Sequence, residues 1–336
     1  MILACDVGGT KTSLALFETE GSQLRVVRLQ TYASREYASL YSMLEGFVGG
    51  AQLKAAGFGV AGPVVEGCVR TTNLPWVVDS LQLARLLGLG SVALVNDLEA
   101  HAWAVGKLVL TDVVELQAGK HGAGNVAVIG AGTGLGVSAL VRGGTRTAVS
   151  LASEGGHADF APVEDVEIEL MRHLRSRFDH VSVERVISGP GLVEIYRFLR
   201  DAGRHEEPAW LVEQMELGDP SAVIASTAMA GRFEPCLQAT MLFIALYGAE
   251  AGNWALRTLA TGGVYLGGGI ARKLIAGPGL SAAWSSRATD AFLSRFRAKG
   301  RFRPMMEAIP VRVIVNEQAA LVGAAEVATR MALRDP

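Results

Sequence analysis

Two segments of the chain repeat one pattern, an apolar strand followed by a glycine-threonine turn and a returning strand. The first copy has strands at residues 2–4 and 13–17 around the turn Gly8-Gly9-Thr10-Lys11, and the second has strands at 125–129 and 137–141 around residues 130–136. A pattern that occurs only twice predicts an internal duplication and not a solenoid. With 336 residues, the chain is also longer than one hydrophobic core usually supports. We therefore expect two domains that each begin with an antiparallel hairpin.

The remaining pattern is typical of an α/β protein. Further strands are predicted at 26–32, 55–60, 91–95, 264–266 and 311–315. An amphipathic helix is predicted over 36–47, where Leu40, Met43, Leu44 and Phe47 share one face. Other helices are predicted at 81–87, 98–105, across most of 164–259 and at 317–333, and we expect the last one to pack on the first domain.

Composition and charge exclude several function classes. The net charge is −2 and no long Lys/Arg run occurs, which argues against a nucleic-acid partner. The most apolar segment, residues 239–249, ends at Glu250 and is too short to span a membrane. The first residues reach Asp6 without a basic segment, so no signal peptide is expected. The scattered cysteines Cys5, Cys68 and Cys236 indicate a reducing cytoplasm and argue against a zinc site.

Glycine is unusually frequent, and its clusters follow apolar runs. Glycine accounts for 40 of the 336 residues, which is about 12% against roughly 7% in an average protein. Glycine turns after strands suggest phosphate binding, because backbone N–H groups can converge there on an anion. No segment matches the P-loop pattern, however, and the alternating glycines of 130–136 do not fit the dinucleotide-binding pattern either. A nucleotide would have to be bound by another type of motif.

The first turn combines the groups that such a motif needs. Asp6 is suited to Mg²⁺, through water, and the glycines and hydroxyls of Gly8, Gly9 and Thr10 can donate to phosphate oxygens. An ordinary hairpin turn is the alternative interpretation. The similar segment 143–147 lacks a preceding acid and is interpreted as a surface turn.

A second polar group follows the buried strand 91–95, where the apolar run ends in Asn96 and Asp97. A carboxylate fixed at a strand end can serve as a general base. The alternative is that Asp97 is the N-cap of the helix at 98–105, a common role for Asp.

Three segments together resemble the actin/hexokinase/Hsp70 superfamily. Residues 6–12 resemble its first phosphate motif, residues 129–136 its second, and Leu266-Gly-Gly-Gly-Ile270 its adenosine motif. Within that superfamily the chain resembles the bacterial glucokinases that lack the zinc-binding cysteines of the ROK group. The segments that carry this narrower resemblance are 72–76, 96–97, 153–157 and 184–191.

This resemblance implies two actin-like (ribonuclease H-like) α/β domains with a central cleft that closes over the sugar. The small domain would comprise residues 1–107 plus 317–336, with the first phosphate motif and the catalytic Asp. The large domain would comprise 108–316, with the second phosphate motif, the adenosine motif and part of the sugar site. A homodimer is also implied by the resemblance.

The implied activity is the ATP-dependent phosphorylation of glucose to glucose 6-phosphate, the first step of glycolysis. Asp97 would be the general base on the 6-hydroxyl, and the residues contacting glucose would be Asn96, Asp97, Glu154, His157 and Glu184. The residues along ATP would be Asp6, Gly8, Gly9, Thr10, Thr133, Gly134, Gly267 and Gly268, and Asp6 would also hold Mg²⁺ through water. Such a sugar set suits a hexose, because each hydroxyl both donates and accepts hydrogen bonds.

Two alternatives share part of this pattern. A kinase for fructose, mannose or an N-acetylated hexosamine would carry the same phosphate motifs. A sugar-sensing transcription regulator would carry a helix-turn-helix before the first phosphate motif, but Asp6 leaves no room for one in this sequence.

Overall fold

The fold is described from a computed structural model of the chain. The structure describes residues 1–21, 23–71, 74–120, 122–142, 148–203 and 205–333. Residues 72–73 of the resemblance, His121 and the predicted surface turn at 143–147 therefore lie outside the described residues.

Strands and helices alternate along most of the chain. The strands are β1 Ile2–Val7, β2 Lys11–Glu20, β3 Gln23–Ala33, β4 Ala55–Val60, β5 Cys68–Arg70, β6 Val77–Asp79, β7 Ala93–Asn96, β8 Val113–Gln117, β9 Val126–Ala131, β10 Leu135–Arg142, β11 Ala148–Leu151, β12 Gly263–Gly267 and β13 Val311–Ile314. The helices are α1 Leu40–Val48, α2 Ser80–Leu87, α3 Asp97–Ala104, α4 Asp165–Arg175, α5 Gly189–Ala202, α6 Ala209–Leu217, α7 Pro220–Met229, α8 Glu234–Thr258, α9 Gly268–Leu274, α10 Ala282–Arg297, α11 Arg303–Ala308 and α12 Ala319–Ala332.

The two larger sheets share one strand order. The first runs β3-β2-β1-β4-β7, in which β1, β2 and β3 pair antiparallel while β1, β4 and β7 pair parallel. The second runs β11-β10-β9-β12-β13 with β8 added at the edge, and its β9, β12 and β13 again pair parallel. The predicted α/β class and the internal duplication are both confirmed by this repeated order. A small third sheet pairs β5 with β6.

Packing divides the chain into two compact units. Unit 1 comprises 1–113, 138–153 and 316–336, and unit 2 comprises 114–137 and 154–315. Residues 138–153 thus pack with the unit that contains the first sheet. The domain boundaries given above stay a prediction.

Unit 1 is closed on one face by its last helix. The face of α12 with Leu321, Ala324 and Ala325 joins a buried cluster with Ile2 and Phe17 of the sheet. A Cβ on Gly323 would lie 1.7 Å from the carbonyl oxygen of Ala100, so α12 and α3 meet backbone to backbone. On the opposite face, the predicted residues Leu40, Met43, Leu44 and Phe47 of α1 are buried as expected.

Unit 2 is built around the long helix α8. Its Tyr247 is fully buried, donates a hydrogen bond to the carbonyl of Ile129 (3.1 Å) and accepts one from the N–H of Ala131 (3.2 Å). The end of β9, where the second glycine turn begins, is thereby attached to the helical core. Burial raises the pKa of the Tyr247 hydroxyl, which stays a neutral donor.

The predicted helix starts at residues 36, 81, 98 and 317 differ from the observed ones by one to four residues. The helix predicted from residue 36 begins at Leu40, because Ser39 is its N-cap and accepts a hydrogen bond from the N–H of Ser42. The helix predicted from residue 98 begins at Asp97.

Across the described ranges, no helix combines the length and apolar composition that crossing a bilayer requires.

Candidate active-site residues in each unit

The parallel strands of unit 1 bring two carboxylates to one edge of the sheet. Asp6 on β1 is in register with Gly59 on β4, and Gly59 is in register with Val95 on β7. Asp6 and Asp97 thus stand at the same carboxyl edge, separated by one strand. Adjacent strands lie about 4.8 Å apart, so carboxylates two strands apart can reach toward each other. Gly59 leaves room for the first turn of α3, because a Cβ there would lie 3.0 Å from the Cβ of Ala100 and 3.7 Å from the Cα of Asp97.

Asn96, and not Asp97, is the N-cap of α3. The Asn96 Oδ1 accepts a hydrogen bond from the N–H of Leu98 (2.9 Å), and its Nδ2 donates to the carbonyl of Gly62 (3.1 Å). Asp97 is the first helical residue, and its Oδ1 lies 2.8 Å from the same Leu98 nitrogen. The cap interpretation of Asp97 is therefore wrong, since Asn96 already fills that position. Asp97 is therefore the first residue of α3, and its side chain does not serve as the N-cap.

A buried carboxylate that sequence reasoning missed holds Asn96 in place. Glu99 is 8% exposed; its Oε2 accepts from the N–H of Asn96 (3.1 Å), and its Oε1 accepts from the Oγ of Ser150 on β11 (2.8 Å). Asn96 and Glu99 form a capping box, a pattern visible in the sequence as a cap residue followed three positions later by Glu.

The electrostatics of unit 1 fit a general base that works near neutral pH. Asp97 is partly buried, and desolvation is the main cause that raises its pKa to about 6, with a further increase from the charge of Asp6. The same loss of hydration raises the pKa of Asp6. A positive charge on His101 acts in the opposite direction on both carboxyls.

His101 is a second residue that sequence reasoning missed. Its Nδ1 lies 3.0 Å from the carbonyl oxygen of Asp97 and must carry a proton, because a carbonyl can only accept. His101 was not among the predicted site residues, although it lies four residues after Asp97, one helical turn along α3. That spacing is the signal that could have identified it.

The first glycine turn is held by Ser34, the residue that follows β3. Gly8 donates to the carbonyl of Lys11 (3.1 Å), and its own carbonyl accepts from the Oγ of Ser34 (2.8 Å). The N–H of Ser34 donates to the carbonyl of Thr10 (3.0 Å). Thr10 and Lys11 are exposed. The buried Ser34 thus fixes the turn, and Thr10 lies at its exposed tip.

The second glycine turn, in unit 2, is also fixed by backbone bonds. Gly132 donates to the carbonyl of Gly134 and accepts from the N–H of Gly189, both at 2.8 Å. Thr133 is exposed, and a Cβ on Gly132 would meet nothing within 4 Å. The turn therefore presents open space at the positions expected to face a phosphate.

Glycines of the adenosine motif lie beside that turn. Gly267 is in register with Gly130, and Gly268 begins α9 with φ +73°. A Cβ on Gly268 would lie 2.6 Å from the carbonyl oxygen of Ala131. Both the φ angle and the close approach require glycine at position 268.

The three sugar residues predicted in unit 2 lie on two short 3₁₀ turns. Glu154 precedes the turn Gly155–His157, and the N–H of His157 donates to the Glu154 carbonyl (2.9 Å). This helical turn brings Glu154 and His157 close together along the chain, and both residues are exposed. Glu184 lies on the turn Val183–Arg185, and its Oε2 accepts from the N–H of Leu135 (2.8 Å).

A cavity of about 410 Å³ in unit 2 includes two of these residues. Its walls are formed by His157, Arg177, Phe178, Asp179, His180, Ser182, Glu184 and Arg185. This volume can accommodate a hexose beside His157 and Glu184. Each unit thus gathers its own part of the predicted set: Asp6, Gly8, Gly9, Thr10, Asn96 and Asp97 in unit 1, and Thr133, Gly134, Glu154, His157, Glu184, Gly267 and Gly268 in unit 2.

The donor groups fit a magnesium ion that is carried by phosphates. Mg²⁺ usually keeps several waters and uses only one or two protein carboxylates when phosphates are present. Asp6 is a partly buried carboxylate beside Asp97 and next to the first glycine turn. Among the described residues, no group of three or more His, Cys, Asp or Glu side chains could hold a metal by itself. The site therefore suits an ion that arrives with its phosphates.

Comparison with known proteins identifies the family. A family model described as Glucokinase matches residues 3–331. A glucokinase of Nostoc sp. is 41% identical and aligns over 98% of this chain and 99% of its own length. The crystal structure of a glucokinase from an Antarctic psychrotroph has a TM-score of 0.84 and 29% identity, covering 98% of both chains.

A ROK-family glucokinase from Streptomyces griseus, solved in complex with glucose and AMPPNP, shares the fold alone. Its TM-score is 0.66 at 21% identity, over 98% of this chain and 99% of that one. The similarity to the non-ROK enzymes is thus the greater one, in sequence and in structure.

Proposed function

This chain belongs to the glucokinase family, whose members phosphorylate glucose, and on that premise we propose that it transfers the γ-phosphoryl group of ATP to the 6-hydroxyl of glucose with Asp97 as the general base. The observation that carries the proposal is the Asp97 carboxylate at the carboxyl edge of the unit 1 sheet, with a pKa raised to about 6. Such a group is ionised at neutral pH and yet basic enough to accept a proton as the new bond forms.

The residues proposed to bind the sugar are Asn96 and Asp97 in unit 1 and Glu154, His157 and Glu184 in unit 2. Asn96 can offer its second amide N–H, since Oδ1 and the other N–H are used by Leu98 and Gly62. In unit 2, Glu154, His157 and Glu184 can accept from or donate to the remaining hydroxyls. A site of this kind rejects sugars that lack a hydroxyl, because its own polar groups are then left unpaired.

The nucleotide would lie along the glycine turns. Gly8, Gly9 and Thr10 in unit 1 and Thr133 and Gly134 in unit 2 are proposed to contact the phosphates, and Gly267 and Gly268 the adenosine. Mg²⁺, held through water by Asp6, would offset phosphate charge. Phosphoryl transfer depends mainly on this positioning and charge neutralisation. What the chain's own groups do is orient the 6-hydroxyl and take its proton at Asp97.

The setting of the reaction is also proposed. We place it in the cytoplasm, as the first step of glycolysis, and the three unpaired thiols Cys5, Cys68 and Cys236 are compatible with a reducing compartment. We also propose a homodimer and two domains, a small one with residues 1–107 plus 317–336 and a large one with residues 108–316. Analytical ultracentrifugation at several concentrations tests the dimer.

A coupled turnover assay over a sugar panel tests the reaction. Glucose, fructose, mannose and N-acetylglucosamine would each be paired with ATP, ADP or polyphosphate in the presence of Mg²⁺. We expect glucose with ATP to give the highest kcat/KM. A different best sugar would replace the substrate claim while leaving the phosphate motifs intact, and a different best donor would replace ATP.

Replacement of Asp97 tests the base. In Asp97→Ala we expect kcat to fall by several orders of magnitude, more than the ~10²–10⁴-fold typical of general-base loss alone, because the carboxylate also orients the hydroxyl. Glucose binding by calorimetry should remain measurable. Turnover close to that of the wild type would remove Asp97 from the chemistry.

A further inference from the structure

We propose that Glu184 serves two sites at once, with Oε2 holding the second glycine turn in its phosphate-binding shape and Oε1 binding the sugar, so that glucose and nucleotide affinities are coupled through this one carboxylate. The proposal rests on the proposed function, since it needs sugar at Glu184 and phosphate at the turn. All the residues that carry it belong to unit 2.

The first observation is the contact between the carboxylate and the turn. The Glu184 Oε2 accepts a hydrogen bond from the N–H of Leu135 at 2.8 Å. A Cβ built on Gly134 would lie 2.5 Å from that same oxygen and 3.3 Å from Cδ, whereas Oε1 is 4.0 Å away. Gly134 is therefore the residue over which the carboxylate lies, and Oε1 is the oxygen that points farther from the turn.

The second observation is that the surroundings of the carboxylate are fixed. The Oγ of Ser188 donates to the carbonyl of Glu184 (2.8 Å), which anchors the Glu184 backbone. A Cβ on Gly156 would lie 2.0 Å from the carbonyl oxygen of Leu135, so the segment that bears His157 packs directly on the same turn. The carboxylate is the movable part of a neighbourhood whose backbone is held.

The third observation separates two glycines of one turn. A Cβ on Gly132 would meet nothing within 4 Å, whereas one on Gly134 meets Glu184. Neither residue has a positive φ. The lack of a side chain at position 134 thus makes room for the Glu184 carboxylate and is not needed for the backbone conformation. Because Glu184 Oε2 binds the turn while Oε1 would bind the sugar, phosphate binding at the turn changes the sugar affinity of the carboxylate, and sugar binding changes the phosphate affinity of the turn, by the same free energy in each direction.

Two matched alanine variants test the proposal with glucose alone. Gly134→Ala should fold, because the overlapping atom is the end of a flexible side chain that can swing away. It should weaken glucose binding, measured by titration calorimetry without nucleotide, by about 5-fold or more, the lower range of common coupling factors. Gly132→Ala, the same change in the same turn, should stay within about 2-fold of wild type by that reasoning.

A double-mutant cycle and a reciprocal measurement complete the test. In a Glu184→Ala background, Gly134→Ala should cause no further loss in kcat/KM for glucose, because the overlapping carboxylate is gone. Glu184→Ala should also weaken AMPPNP binding with Mg²⁺ in the absence of glucose, although Glu184 is assigned to the sugar.

Several outcomes would overturn the coupling. Wild-type glucose affinity in Gly134→Ala, equal losses in both alanine variants, or additive losses in the double mutant would each contradict it while leaving glucose phosphorylation intact. If the wild type binds no glucose, the proposed function itself fails and the coupling with it. Circular dichroism confirms that each variant is folded.

Discussion

At the scale of the residue, the base and its neighbour are held in an arrangement that is unfavourable for folding. Asp97 and Asp6 are partly buried carboxyls, and each loses hydration that it would have in the unfolded chain. Asp97 also experiences the charge of Asp6. A raised pKa means that the folded state prefers the protonated carboxyl, so the free energy of unfolding decreases as the pH rises from the unfolded pKa to the folded pKa.

Asp97→Asn is expected to stabilise the protein at neutral pH while abolishing most activity. The pKa rises from 3.8 to about 6. Each pKa unit corresponds to ~1.4 kcal/mol, and solvent screening of a partly exposed group reduces the total to about 1–2 kcal/mol. The amide oxygen can still accept from Leu98. Urea unfolding at pH 7.5 measures the gain, which should vanish about one pH unit below 3.8, where the wild-type carboxyl is protonated in both states.

A lower unfolding midpoint for Asp97→Asn at pH 7.5 would mean that the carboxylate stabilises the fold. That is the result a capping role would give, and the N-cap position of Asn96 argues against it.

The pH profile of kcat/KM should fall on the acid side of about pH 6. The base must be ionised, and its pKa is raised to about 6, so activity is full above that value and decreases about tenfold per pH unit below it. Initial rates between pH 5 and 9 with subsaturating glucose measure this limb. A profile flat down to pH 5 would show that the group accepting the proton has an ordinary carboxyl pKa.

Side-chain contacts of this kind are the part that the sequence did not reveal. Asn96 and Asp97 were recognisable because polar residues end an apolar run, and the glycine turns because they follow strands. Glu99 and His101 gave weaker signals, which are the capping-box spacing for Glu99 and the four-residue spacing from Asp97 for His101, because both lie within a helix and neither ends an apolar run. Their roles depend on which face of α3 lies toward Asp6 and Ser150, and only the folded chain determines that.

At the scale of the element, helix α3 is held at both its start and its side. The capping box of Asn96 and Glu99 fixes its first turn, and the backbone contact between Ala100 and Gly323 fixes its distance from α12. Lys107, just beyond the helix, pairs with the buried Glu326 of α12 at 3.2 Å. The helix that begins with Asp97 is therefore positioned by α12 as well as by its own strand.

Gly323→Ala and Gly46→Ala should change stability in opposite directions, although both replace a helical glycine. At 323 the new methyl would lie 1.7 Å from a backbone oxygen, so the helices must separate, at a cost of about 3 kcal/mol or more. At exposed Gly46 in α1 nothing lies within 4 Å, and alanine should stabilise by roughly 0.5–1 kcal/mol. Thermal unfolding of both variants decides, and destabilisation of equal size would remove the packing argument.

Element prediction succeeded where periodicity was strong. The long strands and the buried face of α1 followed from apolar spacing. The short strands β5, β6, β8 and β11 were not predicted, because three to five residues carry too little pattern. The start of α1 was misplaced because Ser39, and not the earlier apolar spacing, ends the extended segment.

At the scale of the whole molecule, unit 1 is assembled from segments far apart in sequence. Its sheet comes from the first hundred residues, while α12 closes one sheet face only after residue 316. Asn316 marks the return: its N–H donates to the carbonyl of Asp112 (3.2 Å), and its Nδ2 donates to Asp112 Oδ1 (3.0 Å). Unit 2 lies between these segments in the sequence.

A chain that ends at residue 315 should lose unit 1 but retain much of unit 2. Removing α12 exposes the apolar faces of Ile2 and Phe17 and leaves α3 without its partner. We expect aggregation or protease cleavage within residues 1–113 and no glucose turnover, whereas a chain ending at Leu333 should behave as the full one. Limited proteolysis with mass spectrometry measures this, and a protected segment 1–113 in the shorter chain would contradict it.

The position of α12 also sets an order of events during synthesis. On the ribosome, everything that unit 2 needs has been translated before residue 316 leaves the exit tunnel, whereas the unit 1 sheet must wait for α12. A chain that stalls before α12 is complete would thus carry all the unit 2 turns but lack the helix that supports α3 and Asp97. Such a product is expected to be inactive when it is released.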